Sequence, residues 1–268
     1  MNKMDGLLNF LRILSPPPIS PYFLPGGFLA GYNEDVCFTL FFMAILMLAD
    51  VVLVRPLIHP KGRYFALHVL ANSISSTAAL PDVLRVFTMG DPTSAFSGPS
   101  STMVANSAVA AIHLYHCVAF PLRREDIFHH LTFVSVLCGL AIPLKHIGGG
   151  VANNFGCFFL SGFPGGINYV LLVCVAQGWM GKLTEKVWTA RINVWLRGPS
   201  MSIYLFLGFL SFAHDTKREV PWFLLAIVVI LHFHNGQYYA KQAVESLATH
   251  VERLRVENGG ERDKAKTS

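Results

Sequence analysis

The stretch Arg124-Glu-Asp-Ile-Phe-His-His-Leu-Thr132 sets two adjacent imidazoles behind a carboxylate and ahead of a long apolar segment. Imidazole titrates near neutrality, so such a pair can accept and return a proton, or take an acyl group, at ordinary pH. On a helix Asp126 stands three and four residues before His129 and His130, within reach of one ring, where a carboxylate fixes the tautomer. His129, His130 and Asp126 are therefore the catalytic candidates. The same pair also reads as two half-solvated residues at a membrane interface, where amphipathic side chains collect.

Composition supplies the setting. Hydrophobic residues make up 53% of the 268 and charged residues 14%, against roughly 25% charged in soluble domains; the mean hydropathy is +0.46. Apolar runs cover residues 36–54, 64–83, 102–120, 131–144, 151–176, 192–212 and 220–239, and a bilayer crossing needs roughly 20 such residues. Backbone amides in hydrocarbon must be paired within their own segment, and no run alternates as a barrel strand does. The expectation is an all-α polytopic membrane protein, about seven transmembrane helices bundled around a central cavity. Pro143 and Lys145 shorten the fourth run, which leaves six crossings open. One transmembrane domain spans residues 36–242, between an amino-terminal segment (1–35) and a charged tail (243–268).

Of the 21 basic residues, Arg55, Lys61 and Arg63 follow the first run, Arg123 and Arg124 the third, Lys182, Lys186 and Arg191 the fifth, and six more lie between Lys241 and Lys266. Six stand on the opposite side, with Arg197 set aside as intramembrane. Cytoplasmic loops carry the excess of Lys and Arg, so the tail and the His-His mouth are expected in the cytosol. Lys264 and Lys266, fifth and third from the end, resemble a dilysine retrieval address for the endoplasmic reticulum. In the first segment Leu7, Leu8, Leu11 and Leu14 share a face that Pro16 to Pro18 end, which suits an interfacial helix better than a cleaved signal. The tail from about Glu252 has the composition of solvated disorder.

Polar residues inside the apolar runs are expensive in hydrocarbon, so they should face one another. His68, Asn72, Ser75 and Asp82 share one face of the second run, and Asn106, His113 and His116 one of the third. The sixth offers Asn193, Arg197, Ser200 and Tyr204, the seventh His232, Asn235 and Tyr239. The substrate-binding candidates are His68, Asn72, Asp82, His113, His116, Arg197, Tyr204, His232 and Asn235. Asp50 needs a partner, for which Arg197 is one candidate. Interhelical hydrogen bonds alone, at roughly 0.6 kcal/mol each, are the structural alternative. Gly162, Pro164, Gly165 and Gly166 interrupt the fifth run and predict a kink. Five cysteines lie scattered in apolar runs without a Cys-x-x-Cys pair, and His113 with His116 lacks the second pair of a zinc site, so neither a disulfide framework nor a structural metal is expected.

Residues 63–72, Pro81-Asp82, 126–132, the Asn168 region and Arg197-Gly-Pro199, in this order, resemble the TLC-domain membrane proteins, the family that includes the ceramide synthases. The resemblance covers about residues 36–242, and His129-His130-x-Thr132 is its best element. It implies a helix bundle around a cavity for a long acyl chain. In ceramide synthases the paired histidines serve acyl transfer from acyl-CoA. This chain lacks the acidic cluster that follows their pair, and Phe163-Pro164-Gly165-Gly166 stands where other members carry an acid and a proline.

Two classes of function follow. One is a lipid acyltransferase or related enzyme, in which His129 or His130 takes the proton or acyl group, Asp126 orients it, and Arg123, Arg124, Lys182 and Lys186 hold an anionic headgroup or a CoA phosphate. It needs no cofactor, with acyl-CoA as a candidate substrate. The other is a non-catalytic lipid-binding or membrane-organising protein. The partner expected is membrane lipid rather than nucleic acid, with a homo-oligomer or a larger membrane complex left open. A retinal protein is disfavoured, because the seventh run has no mid-membrane lysine.

Overall fold

The computed structural model describes residues 33–98, 100–139, 149–215 and 221–267. The interfacial helix expected at residues 7–14 and the end of the fourth run, with Pro143 and Lys145, lie outside them. Seven helical rods follow one another among the described residues, with no strand: α1 (33–57), α2 (Arg63–Thr88), α3 (Val104–Ala119), α4 (124–139), α5 (Gly150–Ala176), α6 (182–214) and α7 (Trp222–Thr267). The fold is all-α. Three rods are long and apolar enough to cross a bilayer: Asp35–Leu57 of α1, all of α5, and Trp222–Glu257 of α7.

Four rods contain a widened π turn, at Asp50–Val54, His130–Val134, Phe158–Gly162 and Asn193–Arg197. Three of these have a direct cause. Pro56, Pro164 and Pro199 each follow a π turn by two residues, and a proline ring clashes with the carbonyl four residues back while offering no N–H. Widening the turn that holds Val52, Leu160 and Trp195 moves those carbonyls aside without ending the helix. The kink expected around Gly162 thus takes the form of a π turn. The fourth case has no proline; there Ser135 donates its hydroxyl to the His130 carbonyl at 2.8 Å. π turns concentrate at functional sites, and Asp50, His130 and Arg197 all sit in one.

The second rod is central, packing on α3 and α5, while α1 lies on α3 and α6 on α7. Alanines make the α2–α3 seam close: Ala71, Ala78, Ala105, Ala108 and Ala111 are fully buried. Glycines do the same for α6 and α7. A Cβ on Gly208 would lie 2.5 Å from Val229, and one on Gly236 2.5 Å from Met201, so small residues set this helix spacing. A second core joins Phe96, Phe155, Phe159, Tyr204 and Leu225. Outside, Leu48, Val118, Trp195 and Phe206 are all more than half exposed, an apolar surface suited to lipid. Beyond its apolar stretch α7 continues as helix to Thr267, through the segment whose composition suggests disorder. Lys241 with Glu245 at 3.5 Å and Arg255 with Glu252 at 3.1 Å support it one turn apart.

A histidine-lined cavity as the candidate functional site

The polar stripes converge on a cavity of about 360 Å³ between α2, α3, α4, α5, α6 and α7. Its lining on α7 runs from Val228 to Ser246, eighteen residue steps and so about 27 Å at 1.5 Å rise per residue. The space is elongated. Val109, Phe133, Leu137, Leu160, Leu172 and Val228 give it apolar walls, while His68, His113, His129, His232, Asn72, Asn193, Arg197, Asn235 and Tyr239 supply polar groups. Apolar walls with a few convergent polar groups are the usual composition of a small-molecule site.

Five histidines from α2, α3 and α4 form one cluster. His113 lies 5.4 Å from His129, 5.0 Å from His130 and 6.0 Å from His68 between ring centres, and His116 lies 5.0 Å from His130 and 6.3 Å from His68. The adjacent pair divides its duties. His130 is buried and held at both nitrogens, Nε2 at 3.3 Å from His113 Nδ1 and Nδ1 at 3.1 Å from Cys117 Sγ. His129 instead lines the cavity, with Nδ1 at 2.9 Å from the Tyr239 hydroxyl. His68 donates Nδ1–H to the Tyr64 carbonyl at 2.9 Å, since a carbonyl can only accept. Its Nε2 is therefore a bare acceptor, and it has no partner among the described residues. His232 lines the other wall, bonded through Nδ1 to the Val228 carbonyl at 2.8 Å and stacked on Tyr204 at 4.6 Å.

Asn72 receives the Ser161 hydroxyl at 3.2 Å. A Cβ on Gly165 would stand 3.1 Å from its amide nitrogen and 3.5 Å from Arg197 Nη2, so the glycine lets α2 and α6 bring these two side chains to α5. Arg197, 6% exposed, bonds the Asn193 side chain through Nη1 and sits 5.5 Å from the Tyr239 ring centre. At the end beside Ser246, Glu185 is held by Lys182 at 2.8 Å and takes the Thr189 hydroxyl at 3.1 Å, with Lys186 4.0 Å away. Burial lowers the Lys186 pKa.

Several expectations need correction. Asp126 does not hold an imidazole: its carboxylate accepts the Arg123 backbone N–H at 2.9 Å and, from one edge of the Arg123 guanidinium, Nε–H and Nη2–H at 3.0 Å each, capping α4. Those bonds keep its pKa below the usual carboxylate value. Asp82 lies away from the cavity lining, taking the Ser101 N–H at 2.9 Å, the Ser101 hydroxyl at 2.8 Å and the Asn154 amide at 2.7 Å. Tyr204 is a core residue behind His232, and His116 and His130 support the lining without joining it. Asp50 is paired not with Arg197 but with Arg63 at 2.5–2.7 Å, Arg55 at 3.2–3.3 Å and the Tyr115 hydroxyl at 2.6 Å. The cavity also uses residues that the candidate set omits, chiefly Tyr169, Asn168 and Tyr239. Tyr239 closes the His232–Asn235 stripe, and Tyr169 stands one turn beyond Gly165.

In comparisons with known proteins, no family model, no curated sequence and no solved structure matches this chain.

Proposed function

We propose that all seven rods cross a membrane and that the protein handles a lipid whose acyl chain occupies the cavity, with His129 as its reactive group. The observation that carries this reading is the cavity itself, elongated, walled by apolar side chains, and closed on one side by a cluster of imidazoles. Helix-to-helix glue would need only private pairs; His68 Nε2 and His116 Nδ1 are buried without partners among the described residues. The resemblance to TLC-domain proteins points the same way. In the reaction proposed, His129 takes the proton from an amine or hydroxyl as that atom attacks an acyl-CoA thioester carbonyl. The carbon–sulfur bond breaks, and the proton passes to the departing thiolate. His130, fixed between His113 and Cys117, positions the cluster. The basic excess beside the histidine mouth supports a cytosolic carboxyl terminus, with the endoplasmic reticulum as the membrane.

A non-catalytic lipid carrier is the second reading, favoured by Asp126 being spent on Arg123 so that neither imidazole has an acid partner among the described residues. One experiment separates them. Purified protein and its His129→Ala variant are extracted for bound lipid and assayed for acyl transfer from a long-chain acyl-CoA. Enzyme function requires transfer that His129→Ala reduces by 100-fold or more while bound lipid persists. Bound lipid without transfer in either protein selects the carrier, and absence of lipid overturns both.

A further inference from the structure

Among the described residues the buried carboxylates Asp50, Asp82 and Glu185 are each paired with a cation or a hydrogen-bond donor, whereas the one buried guanidinium is answered only in part. Arg197 has Nη1 on Asn193, but its Nε has no partner among the described residues, and no acidic side chain there pairs with it. An uncompensated charge in such a place costs several kcal/mol unless something neutralises it. Among the described residues the charged ones lining the cavity are Glu185, Lys186 and Arg197, and Glu185 is already taken by Lys182 at 2.8 Å. The cavity therefore carries an excess of positive charge. Asn193 holds the Nη1 corner and leaves the Nε–Nη2 edge, whose two parallel donors match the two oxygens of a carboxylate or phosphate. Gly165 flanks that edge: a Cβ there would stand 3.5 Å from Nη2, an ordinary van der Waals contact, and 3.1 Å from the Asn72 amide nitrogen. Tyr239 lies against the same guanidinium and bonds His129, so a group held at Arg197 sits one side chain from the reactive imidazole.

We propose that the cavity selects an anionic lipid, with the oxyanion of a single acyl-chain molecule clamped by the Nε–Nη2 edge of Arg197 and its chain lying along the walls of α3, α4 and α5. This rests on the lipid reading above and narrows it: neutral lipids of equal length are poor ligands because they leave the guanidinium unanswered. The neighbouring acceptors fit such a ligand as well. His68 Nε2 and the Asn168 side-chain oxygen belong to cavity-lining residues and have no partner among the described residues, so they are acceptors for a second polar group on the ligand that do not compete for the oxyanion.

The test uses full-length protein in a neutral detergent at pH 8, with oleate, oleoyl-lysophosphatidate and oleyl alcohol as probes. The wild type is expected to bind at least one of the two anions roughly tenfold or more tightly than the alcohol. The anion that is preferred identifies carboxylate or phosphate as the headgroup. Arg197→Gln should abolish the preference while retaining alcohol binding, and Arg197→Lys, which keeps the charge and loses the fork, should fall between. Equal wild-type affinity for alcohol and both anions overturns the anion clamp and leaves the lipid cavity standing; this comparison needs no variant. Binding of none of the three overturns the clamp and the lipid reading together.

Discussion

Asp50 and Arg197 are both charges buried in π turns, one in α1 and one in α6, yet their surroundings are opposite. Asp50 is fully buried and receives two guanidinium groups and a tyrosine hydroxyl, joining α1, α2 and α3. Arg197 has one amide and one aromatic face, and borders a cavity. Satisfying a buried charge completely makes it a structural tie. Leaving one half satisfied beside an open space makes it a place for something else. The same contrast runs through the histidines, where His130 is bonded on both nitrogens and His68 on one.

The contrast breaks most visibly on removal of the charge. Asp50→Ala should destabilise the protein by about 3–5 kcal/mol, because Arg63 and Tyr115 lose their buried partner, and should be seen as a collapse of the melting temperature in detergent. Arg197→Gln in delipidated protein should melt at or above the wild-type temperature, since it removes a charge without stranding another. Equal losses for the two variants would erase the distinction. Asp82→Ala should be intermediate, about 1–3 kcal/mol, as the Ser101 and Asn154 donors are stranded, with lipid binding unchanged if Asp82 is only a tie.

Much of this was legible in the chain. The apolar runs mark the rods, and Gly162 with Pro164 marks the π turn of α5, while Pro56, just past the first run, and Pro199, inside the sixth, carried no expectation of a kink. The polar stripes identify which faces turn inward. Depth along the axis was not legible, because helical periodicity reports azimuth alone: Asp82 shares a face with Asn72 but lies ten residues, about 15 Å, further on. Asp126 misled for another reason. Its spacing reaches His129, but the unpaired N–H at the start of α4 and the Arg123 guanidinium lie nearer, and a capping site outcompetes a long reach. Partners across helices, such as Asp50 with Arg63, are fixed by packing that spacing within one helix does not encode. The extension of α7 was hidden because composition weighs charge without its one-turn pairing.

Two smaller effects sharpen the comparison. Gly165→Ala places a methyl against the Asn72 amide and within reach of Arg197. It should cost about 1 kcal/mol or less in stability while weakening lipid binding measurably, whereas Gly90→Ala, with open space around its Cβ, should change neither. The smallest effect is one of pH. The Asp126 pKa is held below its ordinary 3.8 by Arg123, so its capping contribution is complete above that ordinary value and is lost as pH falls through the lowered one. Asp126→Asn should flatten the fall in thermal stability on acidification through that window and leave neutral-pH lipid binding intact.

The most direct measurement is an experimental density map of the full-length protein purified into lipid nanodiscs. Elongated density should fill the cavity alongside Val228 to Ser246, its polar end within hydrogen-bond distance of Arg197 and beside His129. A cavity closed by inward-turned side chains, with His68, His113 and Arg197 each paired privately to a neighbouring helix, would contradict the lipid site.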